Sequence, residues 1–342
     1  MTGPVSIDIN QLEYSVGPGG PVIHIFGRDL NRNAHHLQVT GFRPYFYAPA
    51  AQVDGRAHPA QVTVEEEVAY RSIRGEMLRR LYTIKPTDVR EIRDRYNHYE
   101  ADIPFTTRFM IDTALTGGVS APSEVCMYEE VRPADVSCPA RICILDIECE
   151  DVRGFPDPAR DAVICITCWD SYAGDYTSFI FSPGTDHCDL GVLSTREGLE
   201  NGCFCAGTHD IRTFQTERSM LEAFSGYIRE RDPDILSGWN FLEFDLPYLV
   251  KRMEVLGQNP VSLARLEGMT ERNALRGRTV FDLLSAYRKM HATQQESYRL
   301  DAVAEVEIGE TKVRYTGTIS ELWKNDPCLL VEYNFKDVEL CV

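Results

Sequence analysis

Apolar and polar positions follow two periods along this chain, and the change from one to the other marks its elements. Period-two runs come first. Val22-Ile23-His24-Ile25-Phe26 and Phe42-Arg43-Pro44-Tyr45-Phe46-Tyr47 read as short antiparallel strands, with Pro18, Gly19 and Gly20 marking a hairpin turn after Tyr14. Pro86-Thr87-Asp88-Val89 opens a helix expected to run to about Tyr99. From Gly117 to Pro139 the chain is rich in Gly, Pro, Ser and Glu without an apolar period, and a domain boundary with a linker is expected there. Apolar runs over 142–148, 162–169 and 176–181 then predict three strands with short connections, an antiparallel meander at the start of a mixed sheet. Residues 183–213 read as a polar loop. Thr216 caps a helix whose Met220, Leu221, Phe224, Tyr227 and Ile228 form one stripe at helical spacing. A short strand over 234–238, a helix over 244–256 closed by Gly257, a strand running into a helix from Val280, and a last helix from Pro327 complete the pattern. The expected class is α/β (α+β), with a smaller β-rich domain over 1–139 before a mixed-sheet domain over 140–342.

The chemistry gathers at the strand Arg141-Ile142-Cys143-Ile144-Leu145-Asp146-Ile147-Glu148. Side chains alternate along a strand, so Asp146 and Glu148 point to the same side. Two acids so placed either emerge into solvent where the strand ends or share a hard cation held by oxygen ligands. Two further segments favour the cation. Asn240-Phe241-Leu242-Glu243-Phe244-Asp245 sets Asp245 in the first turn of a helix after a strand, where the helix dipole favours a carboxylate. Tyr333 and Asp337 stand four apart on a helix and share a face. Four acids and a phenol from three separated elements suit a two-metal phosphodiesterase, in which cations about 4 Å apart hold nucleophile, phosphate and leaving oxygen in line. Mg²⁺ needs only a few carboxylates beside substrate phosphate, and the phenol can orient the attacking water. No Walker A loop, G-x-S-x-G elbow or HExxH competes.

Composition narrows the picture further. A length of 342 residues suggests two domains, and 43% hydrophobic with 25% charged residues is an ordinary globular balance. Eleven cysteines, an odd number and mostly in apolar runs, fit reduced buried thiols. No apolar run spans a bilayer and the start lacks a signal-peptide layout, so a cytosolic location without a membrane partner is expected. A net charge of −17 argues against duplex binding by broad electrostatics. Contact with nucleic acid then falls to bound metal or to local basic patches. The most basic stretch carries Arg71, Arg74, Arg79 and Arg80, then Arg90, Arg93 and Arg95, either a solvated face or a phosphate-tracking one. His187, Cys188, Cys203, Cys205 and His209 form a candidate zinc set without the spacing of a standard knuckle. Cys165 and Cys168 stand on a strand, where alternation sends them to opposite faces, as core residues.

Asp146-Ile147-Glu148, Asn240-x3-Phe244-Asp245 and Tyr333-x3-Asp337 are similar, in order and spacing, to the three exonuclease motifs of family B DNA polymerases. Phe42-Arg43-Pro44-Tyr45-Phe46-Tyr47 and Asp102-Ile103-Pro104-Phe105-Thr106-Thr107-Arg108 resemble segments of the archaeal members, so the resemblance covers nearly the whole chain. It implies an RNase H-like domain that removes nucleotides from a DNA 3′ end in proofreading. It also implies two Mg²⁺ ions, with Mn²⁺ as the alternative, on Asp146, Glu148, Asp245 and Asp337. Tyr333 would position the water, and Asn240 and Phe244 would lie at the primer terminus. For the N-terminal part it implies a pocket for template uracil built from Tyr14, Pro44, Tyr45, Val89, Pro104, Phe105 and Arg108. Such walls would stack a flipped pyrimidine and exclude the 5-methyl of thymine, whereas the bland alternative is the core of a small β domain.

The chain departs from that family at Val342, a few residues after Asp337, before any palm, fingers or thumb motif, so polymerase activity is not expected of it. A fragment, a truncated reading frame or one subunit of a split polymerase is expected, and an end inside a helix favours a cut chain. The partners implied are DNA, as a single-stranded 3′ end and as template, the polymerase C-terminal half in cis or in trans, and a sliding clamp through that missing part. A non-catalytic uracil-sensing or scaffolding subunit is the main competing reading. A free-standing repair exonuclease is the other, against which the polymerase-like N-terminal part counts.

Overall fold

The computed structural model describes residues 4–65, 70–183, 209–268, 275–291 and 295–342. His187, Cys188, Cys203 and Cys205 lie outside them. The chain divides into two compact units, Met1–Pro139 and Ala140–Val342.

In the first unit the order is β1 (Val5–Gly17), β2 (Gly20–Arg28), β3 (Ala34–Thr40), β4 (Tyr45–Pro49), α1 (Ala50–Val53), β5 (Val62–Val64), β6 (Tyr70–Arg71) and β7 (Met77–Thr83). Then come α2 (Pro86–Ile92), α3 (Phe105–Thr113), β8 (Gly118–Ala121), β9 (Val125–Met127) and β10 (Arg132–Ala134). A six-stranded sheet runs β10-β8-β1-β2-β3-β9, and a smaller one β4-β7-β5 with β6 on β7. The first hairpin turns where Pro18 and Gly19 stand, with Gly17 opposite Gly20. Ile7, Ile23, Ile25, Leu37, Val39 and Val119 bury one face of the large sheet against Phe105 and Phe109 of α3.

The structure corrects three expectations here. The Gly- and Pro-rich stretch after Gly117 is sheet rather than linker: β8 pairs with β1, β10 with β8, and β9 runs parallel to β3. Strands of three or four residues are too short to display a period. Helix α2 ends at Ile92 and one 3₁₀ turn follows, because the chain then returns to β4: Tyr47 and Tyr99 exchange backbone hydrogen bonds of 3.1 and 2.8 Å. The strand read from Phe42 begins only at Tyr45.

The second unit contains β11 (Ile142–Cys149), β12 (Val163–Asp170), β13 (Asp175–Phe181), β14 (His209–Phe214), α4 (Glu217–Arg231), β15 (Ile235–Gly238) and α5 (Asp245–Val255). β16 (Thr279–Asp282), α6 (Leu283–Met290), α7 (Leu300–Glu307), α8 (Ile319–Asn325) and α9 (Pro327–Glu339) follow. The sheet order is β14-β13-β12-β11-β15-β16, antiparallel within β11–β13 and parallel at the outer pairings. This is the mixed sheet that the apolar pattern predicts. β14 lies in the stretch expected to be loop, a half-buried edge strand with Asp210 and Arg212 paired to each other. Met220, Leu221, Phe224, Tyr227 and Ile228 of α4 are buried, and Thr216 caps that helix by accepting from the Ser219 amide at 3.1 Å. With α5 they cover one face of the sheet through Leu145, Ile147, Cys168 and Phe179. Helices α8 and α9 cover the other through Ile164, Cys165 and Ile180. Cys165 and Cys168 therefore fall in separate layers, as strand alternation requires. Among the described residues, no helix is long and apolar enough to cross a membrane.

Candidate active site

The strand β11 delivers Asp146 and Glu148 to the side of the sheet covered by α9, which carries Asp337. Helix α9 is seated by Phe335 and Val338 against Ile144 and Tyr176. One carboxylate oxygen from each of Asp146, Glu148 and Asp337 lies within 4.8 Å of the others. Asp337 is 2% exposed; its Oδ2 meets the Lys312 ammonium, and its Oδ1 is buried without a hydrogen-bond partner. Asp146 Oδ2 accepts from the Asn334 amide at 2.7 Å, and the Oδ1 of that fully buried Asn334 accepts from the Cys165 thiol at 3.2 Å. The Tyr333 hydroxyl accepts from Lys312 Nζ at 3.3 Å.

Asp245 stands beside this trio rather than within it. It opens α5, is buried, and its Oδ1 accepts from the backbone amide of Ile147, the residue between the two acids of β11, at 3.2 Å. The local chain explains how it gets there. β15 ends at Gly238, where a Cβ would meet the Leu145 carbonyl oxygen at 2.4 Å, so only glycine lets the two strands run so close. Asn240 then adopts left-handed φ (64°), and its carbonyl accepts from the amides of Glu243 and Phe244 at 3.2 and 3.0 Å, turning the chain into α5. Asp282 fastens the turn, accepting from the amides of Leu242 at 2.9 Å and Ser285 at 2.7 Å.

Burial and mutual repulsion set the electrostatics. Burial, then the charges of Asp245, Asp337 and Glu148, push the Asp146 carboxyl well above the usual range. Glu148 is raised too, by burial and then by Asp337. Burial raises Asp245 to about 7 against the opposing Ile147 amide. Burial works against the Lys312 ammonium, but Asp337, Tyr333 and Asp146 outweigh it and hold its proton more tightly than in an ordinary lysine. The Tyr333 phenol is raised by burial and then by Glu148 and Asp337, and so stays protonated. An acid cluster with Asp337 buried, Asp146 and Glu148 half-buried, and one orphaned carboxylate oxygen is a set that suits hard divalent cations.

Three residues of this neighbourhood escape sequence reasoning. Lys312 comes from the irregular stretch between Gly309 and Gly317, where no period points to it. Asn334 occupies a variable position inside the Tyr333-x3-Asp337 spacing. Phe155 is 82% exposed, with its ring edge-on to Phe244 at 5.7 Å, in a loop whose Asp151 carboxylate accepts from the amides of Ile319 and Ser320 at 3.0 and 2.9 Å.

In the first unit, Tyr14, Pro44, Tyr45, Val89, Pro104, Phe105 and Arg108 all line one open cleft of about 540 Å³. Tyr14 and Phe105 meet edge to face at 5.3 Å, and Tyr45 donates to Asp112 at 2.7 Å. The Arg108 guanidinium lies 4.8 Å from the Tyr45 ring centre and pairs with Glu100 at 2.7 Å.

The sequence profile described as DNA polymerase family B, exonuclease domain, matches residues 96–303. The catalytic subunit of rice DNA polymerase delta is 28% identical over 88% of this chain and 33% of its own length. A DNA polymerase from Pyrococcus glycovorans is 26% identical over 96% of this chain and 40% of its own length. The chain thus spans well under half the length of these relatives. A solved family B DNA polymerase from Pyrobaculum calidifontis shares the fold with a TM-score of 0.73 and 24% identity, over 98% of this chain and 44% of that one.

Proposed function

This chain belongs to the exonuclease-domain family of the family B DNA polymerases, and from that premise we propose that it shortens DNA from the 3′ end in proofreading. The observation that carries the reading is the convergence of Asp146, Glu148 and Asp337 within 4.8 Å, with a partnerless buried oxygen on Asp337. Asp146, Glu148, Asp245 and Asp337 would hold two Mg²⁺ ions. Bound there, divalent cations supply the charge that acidifies an attacking water and offsets the charge on phosphate and leaving oxygen.

The remaining steps belong to this chain's own side chains. Tyr333 keeps its proton and directs the water in line with the scissile bond. Water oxygen bonds to phosphorus, the bond from phosphorus to the 3′ oxygen breaks, that oxygen takes up a proton, and a nucleoside 5′-monophosphate leaves. Lys312 adds a fixed positive charge beside Asp337. Asn240, Phe244 and Phe155 contact the terminal nucleotide, the two rings offering faces for an unpaired base. A mismatched end reaches them more readily, since less pairing is given up. The N-terminal cleft would accept a template uracil, with Arg108 and Tyr45 at its wall. The remainder of a polymerase, in cis or in trans, would present the primer end, and a sliding clamp would act through that part.

The test is a 5′-labelled primer–template with a 3′ mismatch, incubated with Mg²⁺, with EDTA, and with Asp245→Ala. Stepwise shortening that EDTA and the substitution both abolish is the expected result. An absence of shortening at high enzyme concentration would favour the sensing or scaffolding reading.

A further inference from the structure

A second cleft in the first unit, of about 780 Å³, is lined by Tyr47, whose ring meets that of Tyr45 in the wall of the cleft already described. Tyr47, Tyr70 and Tyr99 supply its aromatic surface, and Arg71 and Arg74 stand on its rim. Its construction is rigid. Tyr47 and Tyr99 are tied by their two backbone hydrogen bonds, and the Tyr47 and Tyr70 rings meet at 5.0 Å. Behind them the Arg80 guanidinium lies 4.6 Å from the ring centres of both Tyr45 and Tyr70, a cation that stiffens the aromatic wall. The Tyr99 hydroxyl donates to Glu76 at 2.5 Å.

The rim is held as firmly. The turn between β6 and β7 closes through Ser72, whose amide donates to the Glu76 carbonyl at 3.0 Å and whose hydroxyl accepts from the amides of Arg74 at 3.3 Å and Glu76 at 3.1 Å. Arg71 donates one hydrogen bond, at 3.4 Å, to the Gly75 carbonyl, and among the described residues neither Arg71 nor Arg74 is ion-paired. Both are exposed, as is Ile73 at the tip between them. Both guanidinium groups therefore keep donors for an anionic partner. They stand beside ring surfaces wide enough for a base.

We propose that this cleft is a stacking site for single-stranded DNA, with an unpaired base on the tyrosine surface and backbone phosphates on Arg71 and Arg74. Aromatic platforms flanked by arginines take bases of any identity, because every base has a π face. A duplex keeps its bases stacked on one another and so offers nothing to these rings. The shared Tyr45–Tyr47 wall lets one extended strand occupy both clefts. The second site therefore gives a strand purchase whether or not it carries uracil.

The experiment uses the full chain in EDTA and a small circular, uracil-free, fluorescently labelled oligodeoxynucleotide. A circle has no 3′ end to enter the exonuclease site, and without uracil it does not engage the uracil reading of the other cleft, so failure of either of those readings is distinguishable from failure of this one. Anisotropy titrations compare wild type, Arg71→Glu/Arg74→Glu and Tyr99→Ala, with Arg218→Glu/Arg229→Glu on the exposed face of α4 as the charge-matched control. Each of the two cleft variants is expected to weaken binding about five-fold or more. The double variant is also expected to flatten the dependence on log salt by about 0.7 for each phosphate no longer neutralised. Binding unchanged in both variants overturns the proposal. Loss in the arginine variant alone also overturns it, leaving a charged patch without stacking. Full competition by free dAMP at equal nucleotide concentration would make the cleft a mononucleotide pocket instead of a strand site.

Discussion

The Asn334 side-chain amide donates to Asp146 Oδ2 at 2.7 Å, and the same amide is locked from its other end by the Cys165 thiol. Asp146 is thus held by a residue that is itself wholly buried. Groups that orient a metal-binding carboxylate typically contribute about 10–100-fold to affinity or rate. Asn334→Ala is expected to slow mismatch excision within that range and to raise the Mg²⁺ concentration needed for half-maximal rate, with an unchanged circular dichroism spectrum. A variant as fast as wild type at the same Mg²⁺ would show that Asp146 needs no such support.

Lys312 is the one cation in direct contact with the acid cluster among the described residues. Taking it away leaves Asp337 buried with neither oxygen paired to a cation. Lys312→Met is expected to lower stability in EDTA by on the order of 2 kcal/mol. Lys312→Arg should recover part of that loss, since it keeps the charge. Urea unfolding of the three proteins checks this, and equal midpoints would place the ammonium outside the energetics of the cluster.

The raised carboxyls also set a pH dependence for the metal-free protein. Asp245 holds its proton up to about pH 7 when folded but only to the ordinary aspartate range near 4 when unfolded. Above the unfolded value the unfolded chain ionises first, so stability falls as pH rises from about 4 through 7. In EDTA, thermal unfolding is therefore expected at a lower temperature at pH 8 than at pH 5.5. Mg²⁺ should reverse that order by stabilising the ionised form. Asp245→Asn should flatten the metal-free profile and reduce the gain from Mg²⁺.

His209 acts in the opposite sense. Burial lowers its pKa from the ordinary 6.5 to about 4, and Ser178 Oγ sits 2.8 Å from its Nε2. Neutral histidine is the folded form, so the stability it contributes is whole above pH 6.5 and is lost as pH falls towards 4. The loss is about 3 kcal/mol at about 1.4 kcal/mol per pKa unit. Unfolding midpoints of His209→Gln measured over this interval should change less than those of wild type; parallel curves would exclude His209 as their source.

The N-terminal cleft gives a separate prediction. Val89→Gln puts a long polar side chain on its wall, and any preference for a uracil-containing template strand over the matching thymine strand should vanish. Mismatch excision should stay at the wild-type rate. Loss of both together would mean that the substitution disturbs folding rather than one pocket.

How far the sequence revealed this molecule depended on regularity. Strand and helix intervals put Asp146 beside Glu148 and Tyr333 beside Asp337; joining the two pairs took the two-metal reading and the motif resemblance, because no period reports which elements pack together. Asp245 could be assigned to a helix start, but its side step onto the Ile147 amide depends on the left-handed turn at Asn240 and on the close strand passage at Gly238. Lys312 and Phe155 arrive on irregular segments, where position follows from tertiary anchors such as Asp151 on the start of α8. The strands β8 to β10 are too short to show a period, and β14 is half-exposed at a sheet edge, so both read as loop.

The pairing of β1 with β8 sets the smallest piece of the first unit that can stand by itself. The strand that begins the chain waits for residues more than a hundred positions later before its free edge is covered. A version ending near Thr113 would carry the hairpins and α3 yet leave β1 with a row of open amides and carbonyls, ready to recruit another molecule. On the ribosome the same edge stays uncovered until Gly118–Ala121 has emerged, so the β1–β8 pairing closes only after the local hairpins of this sheet are complete in the chain. Deletions meant to isolate that unit should therefore keep everything through Pro139, since the Cys138 amide also donates to Asp8 of β1.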